Sequence, residues 1–137
     1  MNKILKQVTK IVEKVLKEKF NDLNDLEIPK KQGIYLIKEK SGRFFNNKIF
    51  YVGKSTNLRN RIIRQHSSKR DSVAGSMLRI KLNRKGLKYS QIQNYLTKEC
   101  LFIIQEIEDF DINSLVENLL IAIFREKEEL INEIKGK

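Results

Sequence analysis

Two tyrosines in this 137-residue chain lie in short apolar runs that could place them side by side. Tyr35 ends a Gly-Ile-Tyr tripeptide, and Tyr51 begins a Tyr-Val-Gly tripeptide. A phenol with a pKa of about 10 is a poor base in neutral solution unless neighbouring cations lower that pKa. Lys54 and Arg61 follow the second tyrosine and are candidates for that charge. Such a set could move a proton beside an anionic group. The alternative is that the tyrosines only pack on a sheet.

One carboxylate, Glu117, lies in the middle of an apolar run from Leu115 to Ile121. Placing a carboxylate beside a buried helix face costs free energy unless the group is paired or binds a cation. A single carboxylate suits Mg²⁺, which keeps most of its water ligands and takes further ligands from a substrate phosphate. Glu117 is therefore the candidate metal ligand, and we expect Mn²⁺ to substitute for Mg²⁺. An ion pair between Glu117 and a lysine is the competing interpretation.

The net charge of +11 is concentrated in the middle of the chain. Residues 54–88 carry 11 basic side chains and a single acid, Asp71. A run of this kind binds phosphates by releasing their counterions, although a solvated basic face is the simpler alternative. On a helix, Arg61 lies within about 60° of Leu58 and so at the border of the buried face. The residues expected to contact the nucleic-acid backbone are Arg59, Arg64, Lys69, Arg70 and Arg84.

Hydrophobic periodicity predicts the elements that must position these side chains. Apolar residues at steps of three and four predict an amphipathic helix over residues 2–20, which could pack on the core, mediate dimerisation or lie along DNA. Two β-prone runs separated by a turn-rich stretch predict an antiparallel pair that brings the two tyrosines together. The further predicted elements are helices over 57–65 and 73–84, a helical turn within 88–98, a strand over 99–107 and a last helix from Ser114.

These elements together predict an α+β fold, with a small mixed or antiparallel sheet of about three strands covered by helices. Ser55 or Thr56 is expected to cap the helix after the hairpin, and Asp111 or Asn113 the last helix. We divide the chain into an N-terminal helical arm, residues 1–28, and a catalytic domain, residues 29–137.

In sequence, these motifs resemble those of the GIY-YIG nuclease family. The resemblance runs from about Gly33 to about Asn132 and rests on four elements that recur in order. It implies that Tyr35 and Tyr51 are the two motif tyrosines, one of which accepts a proton from water. It further implies that Arg61 is the helix arginine and Glu117 the metal carboxylate. We favour Tyr51 as the base because it lies closest in sequence to Lys54 and Arg61.

The sequence departs from the family pattern after the helix arginine. The position four residues beyond Arg61, commonly His or Tyr in the family, is Gln65, and the only histidine, His66, follows it. On an ideal α-helix, His66 lies about 140° away from Arg61. Since two serines follow and favour helix termination, we expect His66 to turn toward the tyrosines and take part in catalysis, with Gln65 as the alternative. Asn132, the candidate terminal asparagine, lies further from Glu117 than the family pattern suggests.

Composition indicates a globular protein of a single domain. The expected localisation is the reducing cytoplasm, in association with DNA. One cysteine, Cys100, excludes a disulfide framework and is expected to be a buried core residue. No apolar run reaches the length of a membrane span, so no membrane partner is expected.

The leading hypothesis is a Mg²⁺-dependent endonuclease that hydrolyses double-stranded DNA, with tyrosine-assisted attack by water. A stand-alone enzyme of the restriction or mobile-element type is expected, with a homodimer through the N-terminal helix as one possible assembly. The alternative is a catalytically weak or inactive DNA-binding module of the same fold. A basic scaffold that binds acidic proteins would explain the charge but not the motifs.

Overall fold

Three strands form one antiparallel sheet, as the sequence predicts. They are β1 (Gly33–Glu39), β2 (Ile49–Ser55) and β3 (Cys100–Glu106), in the spatial order β2-β1-β3. The computed structural model describes residues 2–65 and 76–125. The β1–β2 register places Tyr35 opposite Gly53 and Ile37 opposite Tyr51, so that the two tyrosines are diagonal neighbours on one face.

Helices cover both faces of this sheet, which confirms the α+β class. The α-helices are α1 (Lys3–Lys17), α2 (Ser76–Arg84), α3 (Ile92–Lys98) and α4 (Phe110–Arg125). A π-helical segment, Asn60–Gln65, follows β2, and single 3₁₀ turns occur at Leu23–Asp25 and Tyr89–Gln91. Within the described residues no helix is both long enough and apolar enough to span a bilayer.

One face of the sheet is covered by α1 and α4, which also pack against each other. Val8, Val12 and Val15 of α1 are buried in one hydrophobic cluster with the sheet residues Ile34 and Val52. The apolar stripe of the N-terminal helix therefore packs on the core, which was one of the three alternatives for it. The sequence placed this helix at 2–20, whereas α1 begins after an Asn2 cap and ends at Lys17.

The opposite face carries both tyrosines and is covered by the π-helical segment, α2 and α3. Leu58 and Ile62, the predicted buried stripe of the helix after the hairpin, are 0% and 3% exposed. Cys100 is buried in the same cluster, as predicted. The tyrosine face is thus an interior layer.

A buried carboxylate fixes the long connection between β1 and β2. Glu39 is 0% exposed and accepts hydrogen bonds from the amides of Phe44 and Phe45, at 2.8 and 2.7 Å, and from the hydroxyl of Tyr95, at 2.6 Å. These three donors satisfy a carboxylate that would otherwise be costly to bury. They hold the ends of the hairpin, and hence the register of the two tyrosine strands, in place.

Both helix caps differ from those predicted. Asp109, rather than Asp111 or Asn113, caps α4: its Oδ1 accepts the Ile112 amide at 2.9 Å, so the helix begins at Phe110 and not at Ser114. After β2, the side chain of Asn57 accepts the Asn60 amide at 3.0 Å, and Ser55 instead accepts the amide of Asn57. The predictions failed because several neighbouring residues have side chains that can cap a helix. The backbone path at the start of the helix decides which of them is used.

Candidate active site

Two glycines in the tyrosine strands permit close packing, one against Tyr35 and one against β3 and Leu58. A Cβ atom at Gly53 would lie 2.5 Å from Cζ of Tyr35, the residue opposite it in the sheet. A Cβ atom at Gly33 would collide with the backbone oxygen of Gln105 on β3 and lie 2.8 Å from Cδ1 of Leu58. Both positions therefore require glycine because of close approach, and Gly53 in particular admits the Tyr35 ring.

The two tyrosine side chains are in contact. Their ring centroids are 5.9 Å apart with an interplanar angle of 41°, and a hydrogen bond joins the two side chains. Tyr35 is fully buried, while Tyr51 is 8% exposed at the edge strand β2. Tyr51 is consequently the tyrosine that a solvent molecule or a substrate reaches first.

Burial raises the pKa of both phenols, but not by the same causes. The pKa of Tyr35 lies well above 10.0, chiefly because of burial and then because of the charge on Tyr51. Burial also raises the pKa of Tyr51, while Arg61 and the hydrogen bond from Tyr35 lower it. Arg61 and Tyr35 therefore favour the ionised form of Tyr51, whereas the Tyr51 side chain disfavours ionisation of Tyr35. Arg61, one of the two candidate cations, lowers both pKa values, but desolvation outweighs it and the net shift is upward.

Arg61 lies beside the tyrosine pair, as its spacing suggests. Its charge lowers the pKa of Tyr35 and of Tyr51, and its guanidinium hydrogen-bonds the Tyr35 side chain. It also donates a long hydrogen bond of 3.4 Å from Nη1 to the carbonyl of Lys54. Arg61 is partly exposed, so the guanidinium borders both the buried tyrosines and the outside.

Lys54 joins β2 to α4. Its Nζ donates to Oγ of Ser114 at 2.8 Å and lies 5.8 Å from the centroid of the Phe110 ring. The sequence did not single out Ser114 or Phe110. The available signal was spacing: on a helix that begins at Phe110, both residues share a face with Glu117.

Glu117 lies on the same stripe of α4, at the edge of the tyrosine pair. It is partly buried, and its charge raises the pKa of Tyr51. The apolar run around it is not buried all round, since Val116 and Leu120 face the core while Leu115 and Leu119 are 43% and 39% exposed. Glu117 is thus at the border of the core.

The described residues contain no group of three or more His, Cys, Asp or Glu side chains that could surround a metal ion. From these residues, a cation at Glu117 would therefore have at most two such protein ligands, with water or substrate oxygens as the others. This ligand set fits Mg²⁺, which binds through one or two carboxylates and retains waters.

The basic residues of 54–88 are not all on one surface. Arg59 and Arg84 are exposed, and Arg59 lines a shallow groove with Lys30 and Asn60. Arg79, which the sequence treated as part of the basic run, is 1% exposed and lies 5.6 Å from the centroid of the Tyr89 ring. At least one of these charges is therefore interior.

The helical segment after β2 ends at Gln65, which is one of the two candidates, with His66, for the residue that faces the site. The π-helical segment Asn60–Gln65 has i→i+5 hydrogen bonding, so the α-helical angle that separated Arg61 from His66 does not apply along it. Gln65 and Arg64 close this segment. His66, Lys69, Arg70 and Asn132 lie outside the described residues, and their roles remain predictions.

The position of Glu117 predicts a measurable effect on the phenol. Because the charge of Glu117 raises the pKa of Tyr51, Glu117→Gln in metal-free buffer should lower that pKa. The measurement is an NMR titration of Cζ-labelled tyrosine, followed while circular dichroism shows that the fold persists. Glu108→Gln, which removes an exposed charge before α4, should leave the Tyr51 titration unchanged. An unchanged or raised Tyr51 pKa in the Glu117 variant would contradict the placement.

Comparison with known families gives one match. The model of the GIY-YIG catalytic domain matches residues 31–128, which include both tyrosines, Arg61 and Glu117. No curated protein and no solved structure matches the chain.

Proposed function

Because this chain belongs to the GIY-YIG family, whose catalytic domains are nucleases, we propose that it is an endonuclease that hydrolyses double-stranded DNA with a divalent cation bound at Glu117. The observation that supports this most directly is the contact of the two tyrosines with each other and with Arg61. The charge of Glu117 also acts on Tyr51 and raises its pKa. A base, a guanidinium and a metal-type carboxylate thus share one site.

Tyr51 is the general base in this proposal. As a phenolate, it accepts a proton from the water whose oxygen attacks phosphorus. The P–O3′ bond breaks, and the O3′ alkoxide takes a proton from solvent, which leaves a 3′-hydroxyl and a 5′-phosphate. Before the transfer from water, Tyr35 donates its hydrogen bond to the Tyr51 phenolate, and Arg61 stabilises the same charge. Arg61 can also bind a phosphoryl oxygen from its partly exposed position.

Glu117 would hold Mg²⁺, or Mn²⁺ in its place, through one carboxylate. The cation would supply positive charge for the phosphoryl oxygens and for the leaving oxygen. Binding a cation also neutralises the carboxylate that raises the pKa of Tyr51. Glu117 therefore explains why an enzyme whose general base is as buried as Tyr51 would depend on a metal ion.

Plasmid cleavage tests the proposal against the alternative of an inactive DNA-binding module. Supercoiled DNA should be nicked or linearised with Mg²⁺ or Mn²⁺ and remain intact in EDTA. DNA binding in both conditions, without cleavage in either, would favour the module. A restriction-type or mobile-element role is a further proposal, and mapping the cut ends on one DNA of known sequence tests it.

Backbone contacts predict a salt dependence. If Arg59 and Arg84 each bind a phosphate, the slope of log K against log salt should fall by about 2 in the double glutamine variant, at about 0.9 per contact. The relative affinities for different sequences should not change. Lys10→Gln, on the exposed side of α1, is the matched control and should retain the full slope. A slope unaltered by loss of both arginines would exclude them from the DNA surface.

The choice between Gln65 and His66 predicts different mutants. If His66 faces the site, His66→Ala should cost at least about tenfold in rate and change the pH profile below 7, since a positioned acid or base contributes this much or more. Gln65→Ala should then have little effect, because an amide cannot transfer a proton. The reverse pattern would assign the position to Gln65, which could only orient water or phosphate.

Dimerisation through the N-terminal helix remains a proposal. The stripe of α1 that packs on the core is unavailable to a partner, which leaves its exposed apolar residues Ile4, Leu5 and Leu16. Light scattering of the wild type and of Leu5→Asp would test it: a dimer that persists in the variant excludes this face.

A further inference from the structure

An aromatic ring lies exposed at the rim of the proposed site. Phe110, the first residue of α4, is 60% exposed, the highest value among the exposed large apolar residues described. A single exposed apolar residue needs no explanation by itself. This one differs because the ammonium of Lys54 lies 5.8 Å from its centroid, and the same ammonium donates to Ser114.

Phe110 shares its helix face with the proposed metal ligand. At 3.6 residues per turn, Phe110, Ser114 and Glu117 fall within about 60° around α4. The rise of about 1.5 Å per residue puts Phe110 and Glu117 about 10 Å apart along the axis. Lys54 contacts this stripe between its ends, and Arg61 reaches the carbonyl of Lys54. The order along the surface is therefore carboxylate, cation and exposed ring.

This order matches the chemistry of one strand of nucleic acid. A strand alternates an anionic phosphate with a base whose flat face stacks on aromatic rings. We propose that Phe110 and Lys54 form a nucleobase subsite in which the base next to the scissile phosphate stacks on Phe110 while Lys54 binds the adjoining phosphate. The inference rests on the proposed function, because the scissile phosphate is placed by Glu117 and Arg61.

The subsite requires an unpaired nucleotide. A base inside a duplex is stacked between its neighbours and offers no free face, so it must be extruded or already unpaired to reach a ring on the protein. The preferred substrate is therefore DNA that has an unpaired or easily unpaired nucleotide beside the cut, rather than uniformly paired duplex.

Binding in metal-free buffer tests the subsite without cleavage. The probes are duplexes with one unpaired 2-aminopurine, the same duplexes with an abasic residue at that position, and fully paired duplexes. The variants are Phe110→Ala, Phe110→Tyr and, as the control, Leu119→Ala, an exposed apolar residue about 180° from Phe110 around the same helix.

We expect Phe110→Ala to weaken binding of the unpaired probe at least about tenfold, in line with the loss of one base–aromatic stack. The 2-aminopurine emission should be quenched by the wild type and not by this variant. Phe110→Tyr and the control Leu119→Ala should both keep the affinity for the unpaired probe and the quenching of its emission. The wild type and Phe110→Ala should bind the abasic probe with the same affinity.

Two results would overturn the subsite. The first is that the wild type and Phe110→Ala bind each probe with the same affinity. The second is that Phe110→Ala loses as much affinity for the abasic probe as for the unpaired 2-aminopurine probe. A change of mass in light scattering with Phe110→Ala, without a change in DNA binding, would assign the ring to a contact between copies and also overturn it.

The proposed function fails separately. If the wild type stacks the probe but does not cleave DNA with Mg²⁺ or Mn²⁺, the endonuclease assignment falls and the subsite stands. If Phe110→Ala cleaves paired and unpaired DNA in the same ratio as the wild type, the subsite falls and the endonuclease assignment stands.

Discussion

Glu117→Gln should reduce Mg²⁺-dependent DNA cleavage by about a thousandfold or more, because charge stabilisation by a bound cation contributes several kcal/mol to the transition state. The amide has nearly the shape of the carboxylate but loses its charge, so α4 should fold as before. DNA binding should survive, since the basic residues are untouched. Single-turnover cleavage rates at saturating Mg²⁺, with fluorescence anisotropy for binding, measure the two effects independently.

The matched control for this variant is Glu108→Gln. It removes the same charge from an exposed position just before α4 and should cleave at the wild-type rate. A Glu117→Gln protein that retains activity within about threefold would exclude a metal carboxylate role, since that ratio corresponds to less than 1 kcal/mol. A similar loss of cleavage in both variants would show that the effect is not specific to Glu117 and would contradict the assignment.

The sheet could be predicted because its strands are short apolar runs bounded by turn residues. Gly33 to Ile37 and Ile49 to Gly53 are rich in β-branched and aromatic residues, and the turn-rich stretch between them leaves a hairpin as the simplest connection. That hairpin is enough to bring Tyr35 and Tyr51 into contact. What the sequence could not show is the burial of Glu39, which depends on two amides in the following turn and on the hydroxyl of the distant Tyr95.

The electrostatics of the site could not be predicted in the same way. Sequence spacing identifies which cations are near Tyr51, and Arg61 does lower its pKa. The size of the desolvation cost depends on how completely the helices cover the sheet, which is a tertiary property. Burial outweighs Arg61, so the pKa of Tyr51 is raised overall.

The start of α4 shows how a local error hides a functional neighbour. With the helix placed from Ser114, Phe110 belongs to a preceding loop and has no fixed relation to Glu117. With Asp109 as the cap, Phe110 becomes the first helical residue and shares a face with Ser114 and Glu117. Capping residues at three nearby positions made the boundary ambiguous, and the boundary decides which side chains reach Lys54.

Removing the hydroxyl of Tyr51 gives the second large expected effect. Tyr51→Phe keeps the ring packed against Tyr35 but removes the general base, so cleavage should fall by about 10² to 10⁴. Tyr89→Phe, a partly buried tyrosine outside the pair, should cleave normally. Rates of the wild type should rise with pH up to the pKa of Tyr51 in the metal-bound protein, and this rise should be absent in Tyr51→Phe.

Tyr35→Phe separates the roles of the two phenols. Because the hydrogen bond from Tyr35 lowers the pKa of Tyr51, its loss should raise that pKa and move the rising limb of the rate profile to higher pH without abolishing it. Cleavage at neutral pH should fall less than in Tyr51→Phe. The opposite result, with the rise absent in Tyr35→Phe and retained in Tyr51→Phe, would make Tyr35 the base, despite its deeper burial.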